Sequence, residues 1–125
     1  KITVFGGNQV RPNIHIQDMI RVYEHFLTHA VNLDSGNYNA GFENMSIIAI
    51  AELIASKVSS EIAITESNDP RSYRQNSDKL LATGFISTFS VQNAIEEIMK
   101  KYRDGEIDDR DEYYTVKTMK NLGLN

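Results

Sequence analysis

"GGNQVRPNIHIQD", residues 6 to 18, sets the reading of the whole chain. Its two glycines permit backbone angles closed to other residues and so end whatever precedes them. A lone arginine, Arg11, then stands before Pro12, which biases the residue ahead of it toward extended conformations. Ile14 and Ile16 alternate, so Asn13 to Ile16 is expected to be extended, and Asp18 is placed to cap the helix that follows. An arginine constrained by its neighbours on both sides, in an acidic chain, is suited to gripping something.

Upstream of this stretch, Ile2 to Phe5 reads as a strand. A chain that opens on "KITVF" without an initiator methionine is expected to begin in mid-protein, with a strand whose free edge pairs with something earlier. Downstream, Met19 to about Ala30 carries Met19, Ile20, Tyr23, Phe26, Leu27 and Ala30 at helical spacing, which predicts an amphipathic helix with these residues turned inward. "YNAGF" suggests a short strand ending at Gly41. Asn44 or Ser46 then caps a helix over Ile47 to Val58 so apolar that it should be buried on more than one side. "EIAIT" reads as another strand, "SNDPRSYRQNS" as a polar loop, and Ser77 as the cap of a brief helix stopping at Gly84. Ser90 caps an amphipathic helix ended by Gly105, with Glu96–Lys100 and Glu97–Lys101 as favourable pairs on its outer face. An acidic link leads to a last helix, Glu112 to Leu122, closed by Gly123.

Bulk properties narrow the class. The 125 residues suit a single domain, and 41% hydrophobic content with mixed charge is ordinary for a globular chain. A net charge of −4 and a pI near 5.3 argue against a nucleic-acid surface, which needs clustered Lys and Arg. Without cysteine there is neither a disulfide framework nor a thiolate metal site, and a cytoplasmic location is expected. No apolar run approaches membrane-spanning length.

Several constellations have bland readings that outweigh the chemical ones. His25 and His29 stand one helical turn apart, as zinc ligands can, but Phe26 occupies the place where the metalloprotease pattern needs glutamate. Asp104, Asp108, Asp109 and Asp111 are spaced unlike a calcium loop and read as a solvated turn. Asn44-Met45-Ser46 is formally a glycosylation sequon in a chain not expected to meet that machinery. Tyr113 and Lys117 have the Tyr-x-x-x-Lys spacing in which a lysine lowers a tyrosine pKa. With no phosphate-gripping glycine turn before them, they read as a chance pair without a catalytic role. Arg11 and Arg71 weigh more evenly. Two guanidinium forks could converge on a diphosphate, or each could merely pair with a nearby carboxylate.

Three ordered blocks, "ITVFGGNQVRPNIHIQDM", "YNAGFENMSIIAIAELIASKV" and "DPRSYRQNSDKLLATGFISTFSVQNAIEEI", resemble the C-terminal part of NAD-dependent sugar-nucleotide epimerases and dehydratases, the extended short-chain dehydrogenases. The resemblance runs to about Lys101. It implies a mixed α/β fold of short strands and helices, the substrate-binding portion of a Rossmann-type enzyme over residues 1–125. The dinucleotide-binding part is expected to lie upstream. It further implies that Arg11 and Arg71 grip the diphosphate of a nucleotide sugar, that Val4 and Phe5 line the nucleobase pocket, and that Asp18 is chiefly structural. Ala49 departs from the family, which often has glutamate there. By the same resemblance NAD and the catalytic Ser/Thr, Tyr and Lys belong to the upstream part, so no catalytic or cofactor-binding residue is expected in this chain, which alone should be inactive. The partners implied are the nucleotide-sugar substrate and the upstream Rossmann part, without nucleic acid or membrane, and a homodimer is open for the complete enzyme. The alternative from another class is a stand-alone, non-catalytic module binding nucleotide sugars or a protein through its apolar helix.

Overall fold

The computed structural model describes residues 1–123, which are mixed α/β. Its contacts divide the chain into two units, Lys1–Ile95 and Glu96–Asn125.

In the first unit, strand β1 (Ile2–Phe5) lies parallel to β4 (Ile62–Thr65), with Val4 opposite Ile64. Strand β2 (Val10–Asn13) lies antiparallel to β3 (Glu43–Ser46), with Arg11 opposite Met45 and Pro12 opposite Asn44. The extended segment therefore sits three residues earlier than Ile14 and Ile16 suggest, and "YNAGF" is irregular, the strand beginning at Glu43. The turn between β1 and β2 needs its glycines, since Gly6 and Gly7 adopt φ of 80° and 113°. It is pinned by helix α2 (Ile47–Val58), whose first amides donate from Ile47 to the Gln9 carbonyl at 3.0 Å and from Ile48 to the Gly7 carbonyl at 2.9 Å. Ser46 caps the same helix, its hydroxyl accepting from the Ala49 amide at 3.2 Å. In α2 only Ala51 is fully buried, while Ile47, Ile48, Ile50, Leu53 and Ile54 are half-buried. Among the described residues the helix is thus covered only in part.

Helix α1 (Ile16–His29) departs most from expectation. Its cap is His15, whose Nδ1 accepts from the Gln17 amide at 3.1 Å. The inward face is Asp18 and Val22 with Phe26 beside them, and Ile16, Ile20, Tyr23 and Leu27 form an exposed apolar stripe. Periodicity favours the face that carries Ile20, Tyr23 and Leu27, and the structure turns that face out. What chooses is Asp18. Its carboxylate is fully buried and accepts from the Thr88 amide at 2.9 Å, from the Phe89 amide at 2.9 Å and from the Arg21 guanidinium. It is a long-range clamp and not the local cap expected of it.

The core gathers Val22, Leu80 and Phe85, with Phe26, Tyr38, Ala40 and Phe42 packed around them. Leu80 comes from α3 (Asp78–Leu81), and the Phe42 and Phe85 rings stack at 5.6 Å. Helix α4 (Val91–Arg103) starts at a second clamp, where the Val91 amide donates to the Glu43 carboxylate. Ser90 caps it as expected, accepting from the Asn93 amide at 3.2 Å.

The second unit holds the end of α4, a turn at Gly105, an acidic link and α5 (Thr115–Asn121). Along it Lys100 pairs with Asp104 and Lys101 with Glu106. No helix among the described residues is long and apolar enough to cross a membrane.

The clamp makes a testable contrast. Asp18→Ala strands two amides and Arg21 and should cost about 3–5 kcal/mol of stability, as breaking a buried ion pair does. Leu27→Ala, on a residue 82% exposed, should stay within about 0.5 kcal/mol. Urea denaturation of the two variants measures both; equal costs would show that the helix buries the other face.

Candidate functional site

The polar segment from Ser67 to Ser77 is not loose; it is laced along β2 and β3. The Tyr73 amide donates to the Val10 carbonyl at 3.0 Å, and the Val10 amide donates to the Ser72 hydroxyl at 3.0 Å. The Asn44 side chain accepts from the Gln75 amide at 2.8 Å and donates to the Gln75 carbonyl at 3.0 Å. The Ser77 hydroxyl does the same with Gly41, accepting and donating at 3.0 Å. This lacing brings residue 71 against residue 11.

Arg11 and Arg71 meet on one carboxylate, Asp69. Arg71 forks onto it, Nε donating to Oδ1 at 2.6 Å and Nη2 to Oδ2 at 3.0 Å. From the facing strand, Arg11 Nη2 donates to the same Oδ2 at 3.3 Å. The Nη1 of Arg11 is held by two carbonyls, Val10 at 2.9 Å and Arg71 at 2.7 Å, and its guanidinium lies 5.1 Å from the Tyr73 ring centre. The two arginines, sixty positions apart, thus converge, and what they share in this structure is the carboxylate of the bland reading.

Asp69 is itself fixed. Its Oδ1 accepts from the Arg71 amide at 3.1 Å, its amide donates to the Ser67 hydroxyl at 3.1 Å, and its carbonyl accepts from Gln9 Nε2 at 3.1 Å. Gln9 also bridges the glycine turn, accepting from the Gly7 amide at 2.7 Å and donating to the Phe5 carbonyl at 3.3 Å. A cavity of about 270 Å³ opens alongside, lined by Gly6, Asn8, Gln9, Ser67, Asp69, Pro70 and Ser72. A larger hollow of about 490 Å³, around Phe26, Leu33, Asp34 and Tyr38, gathers one carboxylate and no guanidinium. The smaller one is singled out by Asp69, the lining residue that both arginines hold, although neither guanidinium is itself part of the lining.

The electrostatics follow from these contacts. Hydrogen bonds from the Arg71 side chain and amide, with the charges of Arg71 and Arg11 behind them, hold the Asp69 carboxyl down at about 2. The same pairing raises Arg71.

Val4 and Phe5 part company here. Val4 is a core residue, 3% exposed, with no surface to offer a base, whereas Phe5 is 65% exposed. Alternation along β1 puts neighbouring side chains on opposite faces, so the pair cannot line one pocket together. Lys117 donates to Asp111 at 2.7 Å and lies over the Tyr114 ring, while Tyr113 sits in a separate 3-10 turn ahead of α5. His25 bonds the Thr83 hydroxyl and His29 bonds the His25 carbonyl. In the acidic link Asp108 meets Arg110 and Asp109 accepts from the Tyr114 hydroxyl.

Gln9, Asp69, Ser72 and Tyr73 escaped sequence reading. One signal was there for Asp69: an aspartate two residues before an amide it can accept from, across a proline, is the pattern of an Asx turn. No family model and no curated protein sequence matches the chain at a significant level.

The low carboxyl value is testable. A carboxylate whose folded pKa is depressed contributes stability that is complete above its unfolded value near 3.8 and is lost as pH falls through about 2. The Asp69 carboxyl carbon, followed by NMR in acid, should therefore titrate near 2 and stay ionised throughout the neutral range. A midpoint near 3.8 would mean that the guanidinium forks are open in solution.

Proposed function

We propose that this chain binds the diphosphate of a nucleotide sugar through Arg11 and Arg71, as the substrate-holding part of an NAD-dependent sugar-nucleotide epimerase or dehydratase. One observation carries the reading: two guanidinium groups from distant parts of the chain are held within reach of a single anion beside an open cavity. Guanidinium forks match phosphate oxygens in geometry as well as charge. The resemblance of the three sequence blocks supplies the identity of the ligand.

The chemistry that NAD would supply, oxidising the sugar and reducing it again, is not routed through these residues. A dinucleotide cradle needs a strand, a glycine turn and then the free amides of a helix N-terminus. Here the glycine turn joins two strands, and the first amides of α2 are spent on the Gln9, Gly7 and Ser46 oxygens. The described residues do not fit NAD. On this reading a separate part of the enzyme carries it, and this chain's own work is to bind and orient. The half-buried α2 and the exposed stripe on α1 support a setting in which further protein packs on this unit.

Calorimetric titration of the chain with UDP tests the reading. Each contact is charge-assisted and contributes about 1.5–3 kcal/mol, so Arg11→Ala or Arg71→Ala should weaken binding roughly ten- to a hundred-fold. Lysine at either place should restore only part, because it keeps the charge and loses the fork. Unchanged affinity in both alanine variants would leave the arginines as partners of Asp69 alone.

A further inference from the structure

The carboxylate between the two arginines has a consequence of its own, which rests on the reading above. We infer that Asp69 is a built-in occupant of the anion site, which a ligand must displace and which thereby selects ligands with two adjacent anionic groups over those with one.

The geometry has three parts. Asp69 receives from Arg71 the same two-pronged contact, 2.6 and 3.0 Å, that a guanidinium gives a phosphate, and it receives Arg11 on one of the same oxygens. Its backbone is also tied apart from its carboxylate, through the Ser67 hydroxyl and the Gln9 amide, so turning the carboxylate aside gives up the Arg71 amide and leaves these two ties in place. The space to turn toward exists, because Asp69 lines the adjoining cavity.

Charge decides what can displace it. Two guanidinium groups and one carboxylate leave a net charge of +1. A singly charged anion that replaces the carboxylate exchanges like for like and gains little. A diphosphate brings two charged groups, one for each arginine, and gains Coulomb energy from both. Protonation does not relieve the competition in the neutral range, since the carboxyl is held down at about 2.

Asp69→Asn tests this, because asparagine keeps an oxygen for the Arg71 amide while removing the charge. Asp69→Ser, which also keeps a local acceptor, serves as a second variant should the first fold poorly. Binding of inorganic pyrophosphate and of inorganic phosphate is measured by calorimetry on the full chain, with circular dichroism to show that each variant is folded. The expected result is tighter binding of both anions, about ten-fold for phosphate, with the preference for pyrophosphate reduced. Weaker pyrophosphate binding, or an unchanged preference, overturns the inference and makes Asp69 a strut that positions the arginines. If wild type and variants alike fail to bind pyrophosphate, the diphosphate reading falls with it. If wild type binds, Arg11→Ala does not, and Asp69→Asn gains nothing, this inference alone is lost.

Discussion

A carboxylate with no exposure to solvent is costly unless every charge-bearing oxygen is answered, and Asp18 is answered by two backbone amides and a guanidinium. Those amides belong to Thr88 and Phe89, just ahead of α4, so one side chain near the start of α1 fixes where a segment seventy positions away must run. Glu43 grips the Val91 amide in the same way from the end of the β2–β3 pair. Between these two clamps the core residues Val22, Leu80 and Phe85 have little choice of arrangement. The rotation of α1 follows too. Turning Asp18 inward turns Ile20, Tyr23 and Leu27 out, because they lie on the opposite side of the helix from it.

The same logic of satisfied polar groups carries the candidate site. Polar side chains do the fastening of residues 67–77: Ser72 to Val10, Asn44 to Gln75, Ser77 to Gly41, and Gln9 to the Asp69 carbonyl. Gly41 lies so near this segment that a β-carbon there would meet the Gln75 side-chain oxygen at 2.3 Å. Much of what looks like an irregular polar loop is therefore held as firmly as a strand edge, and the convergence of Arg11 with Arg71 is a property of the scaffold.

What was legible in the sequence is what neighbours along the chain decide. The glycine turn after Phe5, the Ser46 cap, the Ser90 cap and the stops at Gly84 and Gly105 all depend on residues a few positions apart, and all are found. The strand at Ile62 to Thr65 reads correctly for the same reason. The register of β2 is set by Ser46 and Met45 across the sheet, and the alternation of Ile14 and Ile16 gives no hint of it. Asp18 looks like a cap because its partners lie in a different part of the chain. At the site, the arginines stand out by their proline neighbours. Gln9 and Tyr73 do not, since an amide bridging a turn and a ring under a guanidinium look like any surface residue until the chain is folded.

The two arginines are held in unlike ways, and the difference bears on how such a site would work. Arg11 is 28% exposed, with one nitrogen tied to two backbone carbonyls and its plane beside Tyr73, so little of its freedom remains to be lost on binding. Arg71 is 68% exposed, and Asp69 takes both of its charged contacts. A ligand phosphate would thus meet one arginine already held in place and one still mobile, with Asp69 to be displaced from both. Under the proposed function the fixed arginine would set where an anion sits, and the mobile one would govern how strongly that anion must attract before it is accepted. Rigidity in Arg11 alone would give affinity without discrimination, and freedom in both would dissipate the binding energy in ordering two long side chains. The arrangement in this structure lies between these limits because a single loop carboxylate is shared unequally by the two guanidinium groups.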